Sequence, residues 1–202
     1  MKKLLTIFIL TLSLFGCTNI QVGQTVKKNN LSYLKLTNND LFFIKDEFLL
    51  DKYYSVAVLV LDDNVLTGGV SLLTEFRYYN DKGTILALFK DFRIGLNSTD
   101  KLLSNLDERF ACLEELIFSN KEKVVSLKIT NFSNIRDSEI TNTQISYSQA
   151  KKLYEIMSSS KPLTVRVVSN LGYKDVKLNE DFKIRFKEFL EVPLKLKTYD
   201  VE

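Results

Sequence analysis

Residues 53–92 read YYSVAVLVLDDNVLTGGVSLLTEFRYYNDKGTILALFKDF, and their pattern decides the fold. Tyr53–Leu61 is rich in tyrosine, valine and leucine, residues that suit a pleated surface. Valine and leucine crowd its second half, which predicts a strand covered on both faces. Asp62-Asp63-Asn64 ends it as a turn. Val65–Tyr79 reads as a second strand, with a bulge or bend at Gly68-Gly69. Asn80-Asp81-Lys82-Gly83 is a tight hairpin loop with Gly83 suited to a left-handed position. Thr84–Phe92 returns as a third strand. Together they predict an antiparallel meander.

The flanks extend this pattern. Upstream, Leu31–Leu36 alternates in part and reads as a short strand. LFFIKDEFLLDKYY, beginning at Leu41, reads as a short helix capped by Asn39 or Asp40. Downstream, Ser98, Thr99 or Asp100 caps a long helix over 101–119. Its stripe is Leu103, Leu106, Phe110, Leu113 and Ile117, with Cys112 at the border. Val124–Thr130 and Glu139–Ile145 are further strands, joined by the polar loop Asn131–Ser138. Ser146 and Gln149 form a capping box that opens a helix to Met157, with Ala150, Leu153 and Met157 on its inner side. The segment Ser158–Pro162 breaks it. Leu163–Val168 and Tyr173–Leu178 form a hairpin. Asn179 caps a last helix that buries Phe182, Phe186, Phe189 and Leu190 and stops at Pro193.

The fold class expected is a single α+β domain, a mainly antiparallel sheet with about three helices packed on one face. Its globular part spans 31–193, with a polar tether over 17–30 and a short tail over 194–202.

The N-terminus, MKKLLTIFILTLSLFGC, carries a different message. Lys2 and Lys3 precede an apolar run of about 12 residues, roughly 18 Å long as a helix. The hydrocarbon core is roughly 30 Å thick, so the run is short for a spanning helix and suits an export signal. Leu14-Phe15-Gly16-Cys17 resembles the lipobox of bacterial lipoproteins. That resemblance implies removal of 1–16 as a signal peptide, diacylglyceryl modification of Cys17 and a mature chain beginning there. It also implies attachment to membrane through that lipid. Thr18, not aspartate, follows the cysteine, and in a Gram-negative host the family's sorting rule then favours the outer membrane.

Composition narrows the chemistry. The chain is 45% hydrophobic and 26% charged, the balance of a globular protein. Without Lys2 and Lys3 the mature part carries 26 basic and 25 acidic residues. So balanced a charge argues against nucleic acid as a partner. There are two cysteines and no histidine. Ser-His-Asp and Cys-His catalysis and histidine-ligated zinc are thereby excluded within the chain. With Cys17 lipidated, Cys112 has no disulfide partner, and the domain relies on its core.

Motifs that could carry chemistry are few. Asp62-Asp63-Asn64 offers oxygen ligands but lacks the spacing of a calcium loop. Asp107-Glu108 and Glu114-Glu115 offer paired carboxylates, yet fall on a polar helix side. Ser158 and Lys161 hold S-x-x-K spacing at a helix end with no partner motif. Arg166, Lys174, Lys177, Lys183, Arg185 and Lys187 are candidates for a basic patch facing lipid or glycan. The pairs Phe42-Phe43, Tyr53-Tyr54 and Tyr78-Tyr79 are expected to put one ring on each side of a strand. Asn97-Ser98-Thr99 and Asn131-Phe132-Ser133 match glycosylation sequons. No catalytic residue, cofactor or metal site is assigned.

The functional expectation is a non-enzymatic, membrane-anchored lipoprotein whose domain binds an envelope protein, a glycan or an external partner. Two alternatives are a small-ligand or lipid-binding domain, which requires an apolar cavity, and a carboxylate-based hydrolase, which requires two acids converging in a cleft.

Overall fold

Alternating burial establishes the central meander. The computed structural model describes residues 20–60, 70–94, 112–129, 131–133 and 140–201. Strands β4 (Asp51–Val60), β5 (Val70–Tyr79) and β6 (Thr84–Ile94) pair antiparallel, with Val56 opposite Phe76 and Phe76 opposite Ala87. All three of these side chains are fully buried on one face. The hairpin between β5 and β6 turns at Gly83, whose φ of +57° is the left-handed conformation expected there. Asp62-Asp63-Asn64 and Gly68-Gly69 lie outside the described residues.

The meander sits inside a larger sheet. β1 (Thr25–Lys28), β2 (Leu31–Lys35) and β3 (Leu41–Asp46) extend it on one side. β10 (Ile140–Ile145) and β9 (Asn131–Ser133) extend it on the other, giving the order β1-β2-β3-β4-β5-β6-β10-β9. Two expectations are corrected here. The segment from Leu41 is strand β3, a turn and the start of β4, not a helix. Leu41, Phe42, Phe43 and Ile44 are all buried because both faces of β3 are covered, and an unbroken apolar run carries no period that separates strand from helix. Asp40, placed as a cap, adopts φ +59° in the turn before β3. The polar segment 17–30 is not all tether either: β1 pairs with β2, Ile20 is buried, and the Gly23 N–H donates to the Lys35 carbonyl at 2.8 Å. A polar edge strand has no hydrophobic stripe to announce it.

A second sheet has the order β12-β11-β7-β8, built from β7 (Leu113–Ser119), β8 (Val124–Lys128), β11 (Leu163–Ser169) and β12 (Gly172–Leu178). β7 corrects the long helix expected over 101–119, of which 101–111 lie outside the described residues. Its pairing with β11 skips Glu114, since Val168 faces Glu115 and Ser169 faces Leu113. That extra residue puts Leu113 and Leu116 on the buried face three positions apart, a bulge that imitates helical spacing.

Helices α1 (Tyr147–Met157) and α2 (Glu180–Glu191) are the two among the described residues, against the three or so expected. Among the described residues the architecture is one sheet-rich domain with two antiparallel sheets and two helices. Ser146 opens α1 with both bonds of the expected capping box. Ser146→Ala is expected to destabilise the fold by about 1 kcal/mol. A urea midpoint equal to that of the wild type would contradict this. Asn179 caps α2 through a bond from the Phe182 N–H, and Phe182, Phe186, Phe189 and Leu190 are buried as expected.

These rings join the layers. Phe186 lies 4.1 Å from Phe76 of the large sheet and 6.2 Å from Phe118 of the small one, measured between ring centroids. Glu188 of α2 also accepts bonds from Thr37 and Asn39 in the β2–β3 turn, at 3.0 and 2.9 Å. The C-terminal segment is no free tail: Leu194 is buried, and Tyr199 packs 6.4 Å from the Tyr54 ring.

Candidate functional site

The face of the large sheet turned away from α2 carries the most perturbed ionisable groups of the described residues. Residue parity on β5 puts Glu75, Arg77 and Tyr79 there, opposite Phe76 and Tyr78. Ser55 and Tyr53 join them from β4, and Lys90 joins from β6. Glu75 Oε1 accepts from Arg77 Nε at 2.7 Å and from Ser55 Oγ at 3.0 Å, and Oε2 accepts from Arg77 Nη2 at 3.0 Å. Lys90 Nζ stands 3.5 Å from Oε2. The side chains of Glu75 and Lys90 are each only 15% exposed.

Aromatic rings flank this ion pair. The Arg77 guanidinium lies 4.7 Å from the Tyr53 ring centroid, and Tyr53 stands 5.1 Å from Tyr79. Beyond them Ile20, Tyr33, Phe42, Ile44 and Tyr53 form a second, smaller hydrophobic cluster. The three aromatic pairs divide as expected from the alternation. Phe43, Tyr54 and Tyr78 enter the main core, while Phe42, Tyr53 and Tyr79 turn to this other face.

Electrostatics define what the cluster does chemically. Burial alone would raise the Glu75 pKa, but the charge and hydrogen bonds of Arg77, with Lys90 and Ser55, outweigh it and hold the value at about 2. Burial would likewise lower that of Arg77, and its Glu75 partner instead pushes it up. Burial, aided by the Glu75 charge, raises the Tyr33 phenol to about 12. Burial also raises Tyr53. At neutral pH the carboxylate is therefore ionised and bonded, and these two tyrosines are protonated. A general acid or base needs a pKa near the working pH, and none of these groups has one. The cluster is suited to holding strands and rings in place.

The candidates read from sequence do not converge. Cys17, Asp62-Asp63-Asn64, Asn97-Ser98-Thr99, Asp107 and Glu108 lie outside the described residues. Glu114 is exposed at the β7 bulge, whereas Glu115 accepts from Ser126 Oγ, so the two do not form a catalytic pair. Ser158 is the C-cap of α1, and Lys161 pairs with Glu122. The basic residues are dispersed. Arg166 holds Asp175 with two bonds of 2.7 and 2.8 Å, and Arg185 stands 3.4 Å from Asp40. Lys183 is buried, donating to Glu180 and to the Lys161 carbonyl. Lys187 lies over the Tyr154 ring, while Lys177 is exposed on β12. Cys112 precedes β7, half-buried, and its N–H donates to Asn170 Oδ1 at 2.8 Å. Asn131-Phe132-Ser133 forms β9.

No group of three or more potential metal ligands occurs among the described residues. A shallow open concavity of about 580 Å³ is lined by Gln21, Val22, Gly23 and Gln24, none of them titratable.

Sequence reasoning passed over Glu75, Arg77, Lys90, Ser55 and Tyr33. A signal was there: T-E-F-R-Y over 74–78 puts two opposite charges two residues apart in a strand, hence on one face.

No family model matches the chain, and no curated protein matches it. Among solved structures, the crystal structure of invasion associated protein B from Bartonella henselae is similar at a TM-score of 0.33 and 10% identity. The match covers 86% of this chain and 99% of that one. A likeness of that size carries neither fold nor function across.

Proposed function

We propose that this protein is a bacterial lipoprotein of the cell envelope, anchored through lipid on Cys17, whose domain binds an envelope component without catalysing a reaction. The observation that carries the reading is Leu14-Phe15-Gly16-Cys17 at the end of an apolar run with Lys2 and Lys3 before it. Thr18 favours the outer membrane where the host has one. The state of Glu75 supports a non-enzymatic role: a carboxylate bonded to Ser55 and Arg77 has no proton to give and little reason to take one.

The folded part begins close to the anchor. Ile20 is already buried, so Thr18 and Asn19 alone separate it from Cys17. Labelled palmitate is expected to enter the wild-type chain in bacterial cells and to be lost with Cys17→Ala. Equal labelling of the variant would refute the anchor.

A further inference from the structure

The turn between β3 and β4 presents Phe48, Leu49 and Leu50 to solvent, exposed to 77%, 63% and 86%. Scattered exposed apolar residues are ordinary, but three large ones in succession on one hairpin turn are not. Three further observations bear on what receives them.

The tip is preformed. Leu50 adopts φ +57°, a left-handed conformation unfavourable for a branched side chain. The Asp46 carboxylate accepts from the Phe48 and Leu49 N–H groups at 2.9 and 3.0 Å, and the Glu47 N–H donates to the Asn30 carbonyl at 2.8 Å. The leading N–H groups of the turn are thus satisfied within the protein. Water would satisfy them at no cost, whereas a hydrocarbon phase would not.

The tip is also collared. Lys45 and Lys52 face each other one pair behind Asp46 and Asp51, and Lys27 and Lys28 approach from β1. Their alkyl stems can lie along apolar surface while the ammonium heads reach phosphate level. Glu47 pairs with Lys27 at 3.3 Å and Asp51 with Lys82 at 2.7 Å, which leaves Lys28, Lys45 and Lys52 against Asp46 and the collar modestly positive. Finally, three side chains so exposed leave little enclosed volume for a small ligand.

We propose that the Phe48-Leu49-Leu50 turn inserts into the interfacial layer of a lipid bilayer, driven by its apolar side chains. This membrane contact goes beyond the Cys17 anchor and does not rest on it.

The chain has no tryptophan, so Phe48→Trp in the full-length protein introduces a single reporter at the tip. With phosphatidylcholine vesicles, alone or mixed with phosphatidylglycerol, its emission is expected to shift to the blue and to be quenched by lipids brominated on the acyl chains. Adding Leu50→Asp is expected to weaken this partitioning about tenfold or more. Tyr173→Trp, at a residue 61% exposed on the small sheet, is expected to keep an aqueous spectrum on the same vesicles, even if the apolar leader binds them. Unshifted emission from Trp at 48 while the chain sediments with vesicles would overturn the proposal. So would binding to phosphatidylglycerol vesicles alone that salt abolishes, because the lysines would then account for it. In a Cys17→Ala chain the shift is expected to persist although palmitate labelling is lost, so the two readings fail separately. A shift that disappears with Cys17→Ala would overturn insertion as an independent contact.

Discussion

Glu75→Ala is expected to destabilise the fold by about 3–5 kcal/mol, because it leaves the largely buried Arg77 guanidinium without its carboxylate partner. Arg77 loses both of its bonds to the carboxylate and Lys90 loses a neighbour 3.5 Å away. Replacing Glu75, Arg77 and Lys90 together by methionine is expected to restore much of the loss, since the carboxylate and the two cations facing it are then removed as a unit. Urea unfolding of the single and triple variants checks this, and a triple variant weaker than Glu75→Ala would count against it.

The same carboxylate gives a pH signature. Its ordinary pKa is 4.5, and in the fold it is held at about 2. A depressed value means that the contribution is whole above pH 4.5, fades as pH falls towards 2, and is absent below that. The difference corresponds to roughly 3 kcal/mol. Glu75→Gln removes the titration, so the wild type is expected to lose its advantage over this variant across that acidic window. Parallel stability curves for the two proteins would show that Glu75 does not titrate in this way.

Phe186→Ala is the second large effect, also expected at about 3–5 kcal/mol. Phe186 is fully buried, with Phe182 and Phe189 beside it on α2 and Phe76 and Phe118 reaching it from the two sheets. Removing it opens a void that neither sheet can close without moving the other. Phe186→Leu, which keeps part of the volume, is expected to lose less. A midpoint for the alanine variant within experimental error of the wild type would mean that the ring does not couple the sheets.

Much of this fold is legible in the chain wherever local chemistry and global packing agree. The Asn80–Gly83 turn, the Ser146 box, the Asn179 cap and the phenylalanines of α2 all announce themselves, because each is set by neighbours within a few residues. The failures occur where a distant partner decides. Leu41–Ile44 is covered on both sides, by the main core on one and by Ile20, Tyr33 and Tyr53 on the other, which erases its alternation. Glu114 is bulged by its pairing with β11, which disguises β7 as a helix. β1 is polar and exists because β2 offers it an edge. The site was legible only in part: the split of the Tyr53-Tyr54 and Tyr78-Tyr79 pairs follows from strand parity. The meeting of Glu75 with Ser55 and Lys90 depends on register across three strands.

The docking of β1 bears on how far the domain can search. On the proposed attachment through Cys17, a free segment over 17–30 could extend about 40 Å from the bilayer at roughly 3.3 Å per residue. With Ile20 already seated in the fold, the three steps from Cys17 allow about 10 Å. The volume swept from the lipid shrinks with the cube of that radius, and the effective concentration of the domain near the membrane rises to match. Under that proposal, a partner reached on so short a leash would lie in the membrane or directly against it.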